Sequence, residues 1–212
     1  MKIRFALFAL TTAVLLFASS AAFGAKKFKF DAAETFIYNP LGIGDGGAAE
    51  WINGIGEGDR PNCRTNYGLQ LQKNVSSETE FAVGTVVEGL SGAVVAEDDT
   101  FGYDIRNDSD CLPGSPRFNV IYTLPDGTRG FSFVGGCANG TRTPSPQNAG
   151  WTRVAFDLQS QAFPAIPVGS VIESAVLIAD DTGSYTLDNI QFRDWYFDQP
   201  GGNPGPAPKC SL

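Results

Sequence analysis

The chain has 212 residues, with 23 acidic against 15 basic side chains and no histidine. The net charge of −8 argues against nucleic acid and anionic membranes as partners, because both are bound through basic surfaces. The absence of histidine excludes a Ser-His-Asp triad, a Cys-His pair and any histidine metal site. Zinc is therefore a poor candidate.

Residues 1–24 have the order of a secretory signal peptide. Lys2 and Arg4 precede the mostly apolar segment FALFALTTAVLLF, and small residues follow it. Cleavage after Ala22 or Gly24 fits the small-x-small rule. An uncleaved anchor is the alternative, disfavoured because the apolar segment is shorter than the ~20 residues that a membrane span needs. We therefore expect a secreted protein, extracellular or periplasmic, without a membrane span after cleavage.

Residues 25–198 are predicted to form a single all-β domain, an antiparallel β-sandwich. Short segments rich in Val, Ile, Phe and Tyr alternate with Gly, Pro, Asn and Asp, as in sandwiches. In WTRVAFDL, Val154, Phe156 and Leu158 are expected to face the core. Eight strands are predicted, at Gly68–Val75, Phe81–Gly89, Phe101–Asn107, Arg117–Leu124, Gly130–Gly136, Trp151–Leu158, Val171–Asp180 and Tyr185–Phe197.

Two segments lack this pattern. Leu41–Asn62 is glycine-rich and contains Trp51, and it is predicted to be a long loop, a feature often associated with function. Residues 199–212, QPGGNPGPAPKCSL, are predicted to run over the surface without helix or sheet.

The four cysteines follow a secretory signal, so they predict two disulfides. Three pairings are possible. Cys111 with Cys137 is favoured because both flank the strands predicted between them, and Cys63 with Cys210 follows by elimination.

The segment SYTLDNIQF, Ser184–Phe192, contains a shift in its apolar alternation. Tyr185 and Leu187 alternate, but Ile190 follows Leu187 by three positions rather than two. Such a shift in register predicts a β-bulge at Asp188-Asn189.

The segments GWTRVAFDL, FPAIPVGSVIESAVLIADD and SYTLDNIQF together resemble the C-terminal half of jelly-roll carbohydrate-binding modules and galactose-binding-like domains. The resemblance covers Gly150–Phe192 and implies a jelly-roll topology. It also implies a structural calcium held by Asp188, with Asp31 and Glu34 of the first strand as partners. Calcium takes six to eight oxygen ligands, which suits carboxylates and carbonyls. The alternative is that Asp188 only accepts hydrogen bonds from backbone amides at the bulge.

Carbohydrate binding requires aromatic rings that stack on sugars and planar polar groups for the hydroxyls. The candidates are Trp51, Tyr67 and Tyr103, with Asn53, Gln70 and Gln72 nearby in sequence. Trp51 has the alternative role of a lid over one end of the sandwich, and Trp151 is predicted to be buried.

Three functional hypotheses follow. The first is a secreted, non-catalytic protein that binds polysaccharide or glycan and contains a structural calcium. The second is an extracellular structural or adhesive protein without sugar affinity. The third, a polysaccharide-degrading enzyme, has the least support. Two acids suffice for glycoside hydrolysis, but no predicted strand has acids alternating on one face. The acids considered are Glu50, Glu57, Asp59, Glu97, Asp98, Asp99 and Asp104.

Overall fold

A computed structural model describes residues 32–59, 64–197 and 205–206. Within these residues the chain is almost entirely β-structure, with one 3-10 helix at Cys137–Asn139. The strands are β1 (Ala32–Tyr38), β2 (Gly47–Asp59), β3 (Arg64–Lys73), β4 (Ala82–Val87), β5 (Thr100–Arg106), β6 (Arg117–Thr123), β7 (Arg129–Gly135), β8 (Thr141–Pro144), β9 (Trp151–Asp157), β10 (Ala162–Phe163), β11 (Val171–Ala179), β12 (Gly183–Phe192), β13 (Trp195–Phe197) and β14 (Gly205–Pro206).

The strands form two antiparallel sheets that pack face to face, which confirms the predicted β-sandwich. The six-stranded sheet has the order β1-β4-β11-β6-β7-β10. The eight-stranded sheet has the order β14-β13-β12-β5-β9-β8, and β3 pairs with β12 and carries β2 on its other side. Every strand pairing is antiparallel.

The core lies between the sheets and is rich in aromatic side chains. Phe101 of the eight-stranded sheet stacks on Phe118 of the six-stranded sheet, with ring centroids 4.6 Å apart. Val154, Phe156 and Leu158 are fully buried in this core, as their alternation predicted. Burial of side chains of this size contributes about 1.5–3 kcal/mol each, so this interface is the main source of stability.

All eight predicted strands are present, with bounds that differ by a few residues, and one of them is divided in two. The segment predicted as a single strand from Tyr185 to Phe197 is divided by a turn at Arg193-Asp194, giving β12 and β13. Arg193 has a φ of 57°, a left-handed conformation that ends the extended ladder.

The prediction of a loop over Leu41–Asn62 is wrong for most of its length, because β2 occupies Gly47–Asp59. Two of its glycines stand where other chain segments approach too closely for a side chain. A Cβ at Gly47 would lie 2.2 Å from the carbonyl oxygen of Gln72. A Cβ at Gly56 would lie 2.3 Å from the carbonyl oxygen of Tyr67 and 2.6 Å from a carboxylate oxygen of Asp188. The glycines that indicated a loop therefore permit close strand packing.

The tail was predicted to contain no sheet, and this is also wrong at one point. Gly205 and Pro206 form β14, which pairs with Tyr196 and Trp195 of β13. Proline lacks an N–H but still accepts through its carbonyl, so it is compatible with the end of a sheet.

The predicted disulfide between Cys111 and Cys137 is present and links the segment after β5 to the 3-10 helix. The predicted Cys63–Cys210 pair, the signal peptide at 1–24, and Asp31 lie outside the described residues. Among the described residues, no helix is long and apolar enough to cross a membrane.

Candidate functional site

A β-bulge interrupts the pairing of β12 with β5, which confirms the predicted shift of register. Leu187 pairs with Ile105 and Asp188 with Asp104, but Gln191 is the next residue to pair, with Gly102. Two residues of β12, Asn189 and Ile190, thus oppose the single residue Tyr103. Asn189 has a φ of 46°, and asparagine tolerates this left-handed conformation better than most residues.

Asp188 is fully buried and accepts hydrogen bonds from two backbone amides. Its Oδ1 accepts from the N–H of Asn189 at 2.7 Å, and its Oδ2 accepts from the N–H of Glu57 at 2.6 Å. Asp188 therefore caps the bulge and also fixes the last part of β2 over the outer face of the sheet. This is the hydrogen-bonding role given above as the alternative to calcium.

Three side-chain oxygens converge on the amide nitrogen of Asn189. Its Nδ2 lies 2.8 Å from Oε2 of Glu57, 2.9 Å from Oδ2 of Asp104 and 3.0 Å from Oε1 of Gln147. Glu57, Asp104 and Asn189 are fully buried, and Gln147 is 7% exposed. We call these residues, together with Arg153, the bulge cluster.

Arg153 of β9 supplies the positive charge of the bulge cluster. Its Nε and Nη2 donate to the two carboxylate oxygens of Asp104 at 2.8 and 2.7 Å, a bidentate arrangement. The ring of Tyr196 covers the guanidinium at 4.8 Å from its centroid. Burial lowers the pKa of Arg153, but hydrogen bonding to Asp104 and its charge outweigh this effect and raise that pKa.

Glu57 and Asp104 form an acid–carboxylate pair. Burial, and next the charge and hydrogen bonding of Asp104, raise the pKa of Glu57 from 4.5 to about 8. A pKa near 8 favours the protonated form of Glu57 at neutral pH, which avoids two buried negative charges side by side. Such a pair has the protonation states of an acid catalyst and a base, but neither side chain is exposed to solvent. The arrangement stabilises the junction of β2, β5, β9 and β12.

Two of the three predicted sugar-binding aromatic residues lie together. Trp51 pairs with Leu69 and Asn53 pairs with Tyr67, so Trp51 and Tyr67 are diagonal neighbours on the face of the β2–β3 ladder that carries the buried Leu69. One side of Trp51 packs against the hydrophobic core. Both side chains are half-buried, and Asn53 between them is exposed. Gln70 and Gln72 project from the opposite face, because they alternate with the buried Leu69 and Leu71.

Tyr103 is in a different environment from Trp51 and Tyr67. It is fully buried, its hydroxyl donates to the carbonyl of Pro116 at 2.8 Å, and its ring packs against Phe118 and Phe156. The ring is therefore part of the core and presents no face to a ligand. Trp151 is buried as predicted, at 4% exposure, but alternation places it on the same face as Arg153 rather than Val154.

The residues predicted to bind calcium are not brought together by the described contacts. Glu34 is exposed on β1, at one edge of the six-stranded sheet, whereas Asp188 is buried in the eight-stranded sheet. Within the described ranges, no group of three or more acidic or cysteine side chains is arranged to hold a metal ion. Calcium binding stays a prediction.

The sequence contained one signal for the bulge cluster that the alternation argument did not use. Asp104 lies between Tyr103 and Ile105, so the carboxylate had to face away from the core within a strand otherwise buried. Glu57 and Gln147 gave no comparable signal, because they join the cluster from a glycine-rich segment and a turn.

The outer face of the six-stranded sheet has a group of exposed phenylalanines, the Phe patch, formed by Phe131, Phe133 and Phe163. Their exposed fractions are 44%, 42% and 60%. Phe131 and Phe133 pack edge to face at 4.9 Å between centroids, and Phe163 pairs with Phe133 across β10 and β7. The guanidinium of Arg117 lies 4.7 Å from the centroid of Phe133.

Comparison with known proteins does not assign the chain to a family. No protein-family model matches the sequence, and no curated protein matches it significantly. The function is therefore inferred from the fold and from the residues of this chain.

Proposed function

We propose that this is a secreted, non-catalytic β-sandwich protein of the jelly-roll type that binds carbohydrate at the edge formed by β2 and β3. The observation that supports this best is the placement of Trp51 and Tyr67 as diagonal neighbours, both partly accessible, with the exposed Asn53 of β2 directly opposite Tyr67. Aromatic faces stack on the C–H surfaces of sugar rings, and an amide can bond both donor and acceptor hydroxyls.

We propose that the protein is not an enzyme, because the buried acidic side chains are engaged in contacts within the fold. Glu57 and Asp104, the acids with the most perturbed environment, are occupied by Asn189, Arg153 and each other, and they are fully buried. A glycosidase would need two carboxyl groups on either side of a bound sugar. The bulge cluster fixes chain segments instead.

Affinity electrophoresis against a panel of soluble polysaccharides tests the binding role. We expect the wild type to be retarded by at least one of them, Trp51→Ala and Tyr67→Ala to lose retardation, and Trp51→Phe to keep most of it. Phe163→Ala is the matched control, because it removes an exposed aromatic ring from the other sheet. Circular dichroism confirms folding of each variant. A wild type that is retarded by no glycan, or a Trp51→Ala variant that behaves as wild type, would contradict the proposed function.

The structural calcium is a separate part of the proposed function, with Asp188, Asp31 and Glu34 as ligands. Its test is the melting temperature in chelator and after calcium is restored. A ligand role for Asp188 predicts that calcium raises the melting temperature of the wild type and not of Asp188→Asn. Equal melting temperatures with and without calcium would contradict a ligand role for Asp188.

A structural or adhesive role without sugar affinity is the second candidate, and the Phe patch favours it. Three exposed phenylalanines on one sheet face are more than scattered surface apolar residues, and such patches mark protein contacts. Cross-linking in the native host would detect a partner protein. Loss of the cross-link in Phe133→Ser with glycan binding unchanged would separate the two roles.

A further inference from the structure

A cleft of about 310 Å³ lies at the end of the eight-stranded sheet, away from the Trp51–Tyr67 edge. It is lined by β8, by the first residues of β9 and by the turn that follows β5. Sites for small ligands have volumes from about 300 to 1,000 Å³, so this cleft has room for one or two sugar rings.

Arg142 lines this cleft and differs from the other described arginine side chains. Five of them form ion pairs with Asp or Glu, namely Arg106, Arg117, Arg129, Arg153 and Arg193. Arg142 is exposed and forms no ion pair and no hydrogen bond through its guanidinium among the described residues. In a chain with a net charge of −8, an unpaired guanidinium in a cleft is a site for an anion.

The walls of the cleft are fixed by hydrogen bonds. Thr152 Oγ1 donates to Asn107 Oδ1 at 2.7 Å, and Asn107 Nδ2 donates to the carbonyl of Ala149 at 3.0 Å. The backbone of Trp151 donates to Asn148 and accepts from Ser145. A site held in this way requires little ordering when a ligand binds, which favours affinity.

Pro144, Ala149 and Trp151 line the cleft together with Arg142. Pro144 shares the face of β8 with Arg142, whereas the Trp151 side chain alternates onto the other face of the sheet. A ligand suited to these walls has an apolar ring surface and one anionic group attached to it. A planar carboxylate matches the fork of a guanidinium through two parallel hydrogen bonds.

We propose that the cleft binds an acidic sugar residue, a hexuronate, with its carboxylate on Arg142 and its ring against Pro144 and Ala149. Because acidic sugars are a subclass of carbohydrate, this assignment rests on the proposed function, but it uses a different site from Trp51 and Tyr67. It makes an anionic polysaccharide the preferred ligand.

Isothermal titration with a galacturonic acid tetramer and its fully methyl-esterified form tests this assignment at 0.15 M salt. The ester keeps the rings and linkages and removes the charge. We expect the acid to bind at least about tenfold more tightly than the ester, because a charge-assisted bidentate bond is lost. Arg142→Ala should weaken binding of the acid about tenfold or more and leave binding of the ester unchanged. Arg129→Ala is the control, since it removes an exposed arginine at the other sheet.

Several outcomes would overturn the assignment. These are equal affinity for acid and ester, no binding of either, equal losses in Arg142→Ala and Arg129→Ala, or tighter binding of a sulfated tetramer than of the uronate. The Trp51→Ala variant distinguishes this assignment from the proposed function. Uronate binding that needs Arg142 but not Trp51 would support the cleft as a site separate from the edge, whereas polysaccharide retardation that needs Trp51 but not Arg142, without uronate binding, would contradict the cleft and leave the edge intact.

Discussion

Arg153 and Arg142 lie on neighbouring strands of the same sheet but in opposite electrostatic settings. Arg153 on β9 is 15% exposed and bonds both oxygens of the fully buried Asp104. Arg142 on β8, one position before the residue that pairs with Arg153, is exposed and unpaired. One charge is used within the fold, and the other is available to a ligand.

The difference shows how burial and pairing separate structural charges from charges that are available for binding. A buried charge must be paired, or the cost of removing it from water would unfold the chain. An exposed charge needs no partner for stability, so its position in a cleft is the informative feature. The comparison predicts that stability depends on the bulge cluster and binding on the cleft.

The largest expected effect is that of Arg153→Ala. It leaves Asp104 buried beside Glu57 without a counter-charge, and removal of one partner of a buried pair costs about 3–5 kcal/mol. Urea unfolding measures this loss. Arg106→Ala is the matched control, because its pair with Asp108 is exposed and screened by solvent and should contribute little to stability. Similar losses in the two variants would show that the bulge cluster contributes no more than a surface ion pair.

The second test concerns Asn189. This residue adopts a left-handed backbone conformation, and its side-chain amide donates hydrogen bonds within the bulge cluster. Asn189→Ala should destabilise the fold by about 3 kcal/mol, through the lost hydrogen bonds and the strain of alanine at a φ of 46°. Asn189→Gly keeps the conformation and should lose about 1 kcal/mol less. Urea unfolding of both variants measures the difference. Equal losses would mean that the amide alone is important at this position.

Glu57→Gln should have a smaller effect, one that depends on pH. Burial and the Asp104 charge raise the pKa of Glu57 to about 8, whereas in the unfolded chain it ionises near 4.5. Between these values the folded state binds a proton that the unfolded state has released. The stability from Glu57 is therefore complete below pH 4.5 and decreases as pH rises toward 8, by up to about 1.4 kcal/mol per pH unit.

Urea unfolding between pH 5 and pH 8 measures this slope. Glutamine is neutral like the protonated acid and keeps an oxygen that accepts from Asn189, so Glu57→Gln should flatten the slope and differ from wild type by less than about 1 kcal/mol at pH 5. Parallel pH profiles for wild type and variant would show that Glu57 is ionised in the folded protein.

Local patterns in the sequence were sufficient to predict most of the fold. The eight strands follow from apolar alternation, and the bulge follows from the three-residue step between Leu187 and Ile190. Strand β2 was missed because its glycines indicated a loop, although Gly56 is needed where the chain passes Asp188. The need for glycine at position 56 follows from the positions of Tyr67 on β3 and Asp188 on β12, which the local sequence of β2 does not specify.

The candidate sites were harder to predict, because they join distant segments. Glu57 reaches Asp188 across 131 positions of sequence, and no local pattern specifies that contact. The Trp51–Tyr67 pair depends on the register of β2 and β3, and the cleft depends on β8, a four-residue strand of exposed residues without apolar alternation. Tyr103 shows the converse, since its aromatic type suited a sugar platform but its strand face placed it in the core.

The smallest expected effect on stability is that of Arg142→Ala, and it is the sharpest contrast to Arg153→Ala. The guanidinium of Arg142 is exposed and bonds to no described residue, so its removal should change the free energy of unfolding by no more than about 0.5 kcal/mol. Urea unfolding of Arg142→Ala beside Arg153→Ala measures both. A loss above about 2 kcal/mol would mean that Arg142 is a structural charge like Arg153. An unchanged midpoint together with lost uronate binding would establish that the two arginines have separate roles.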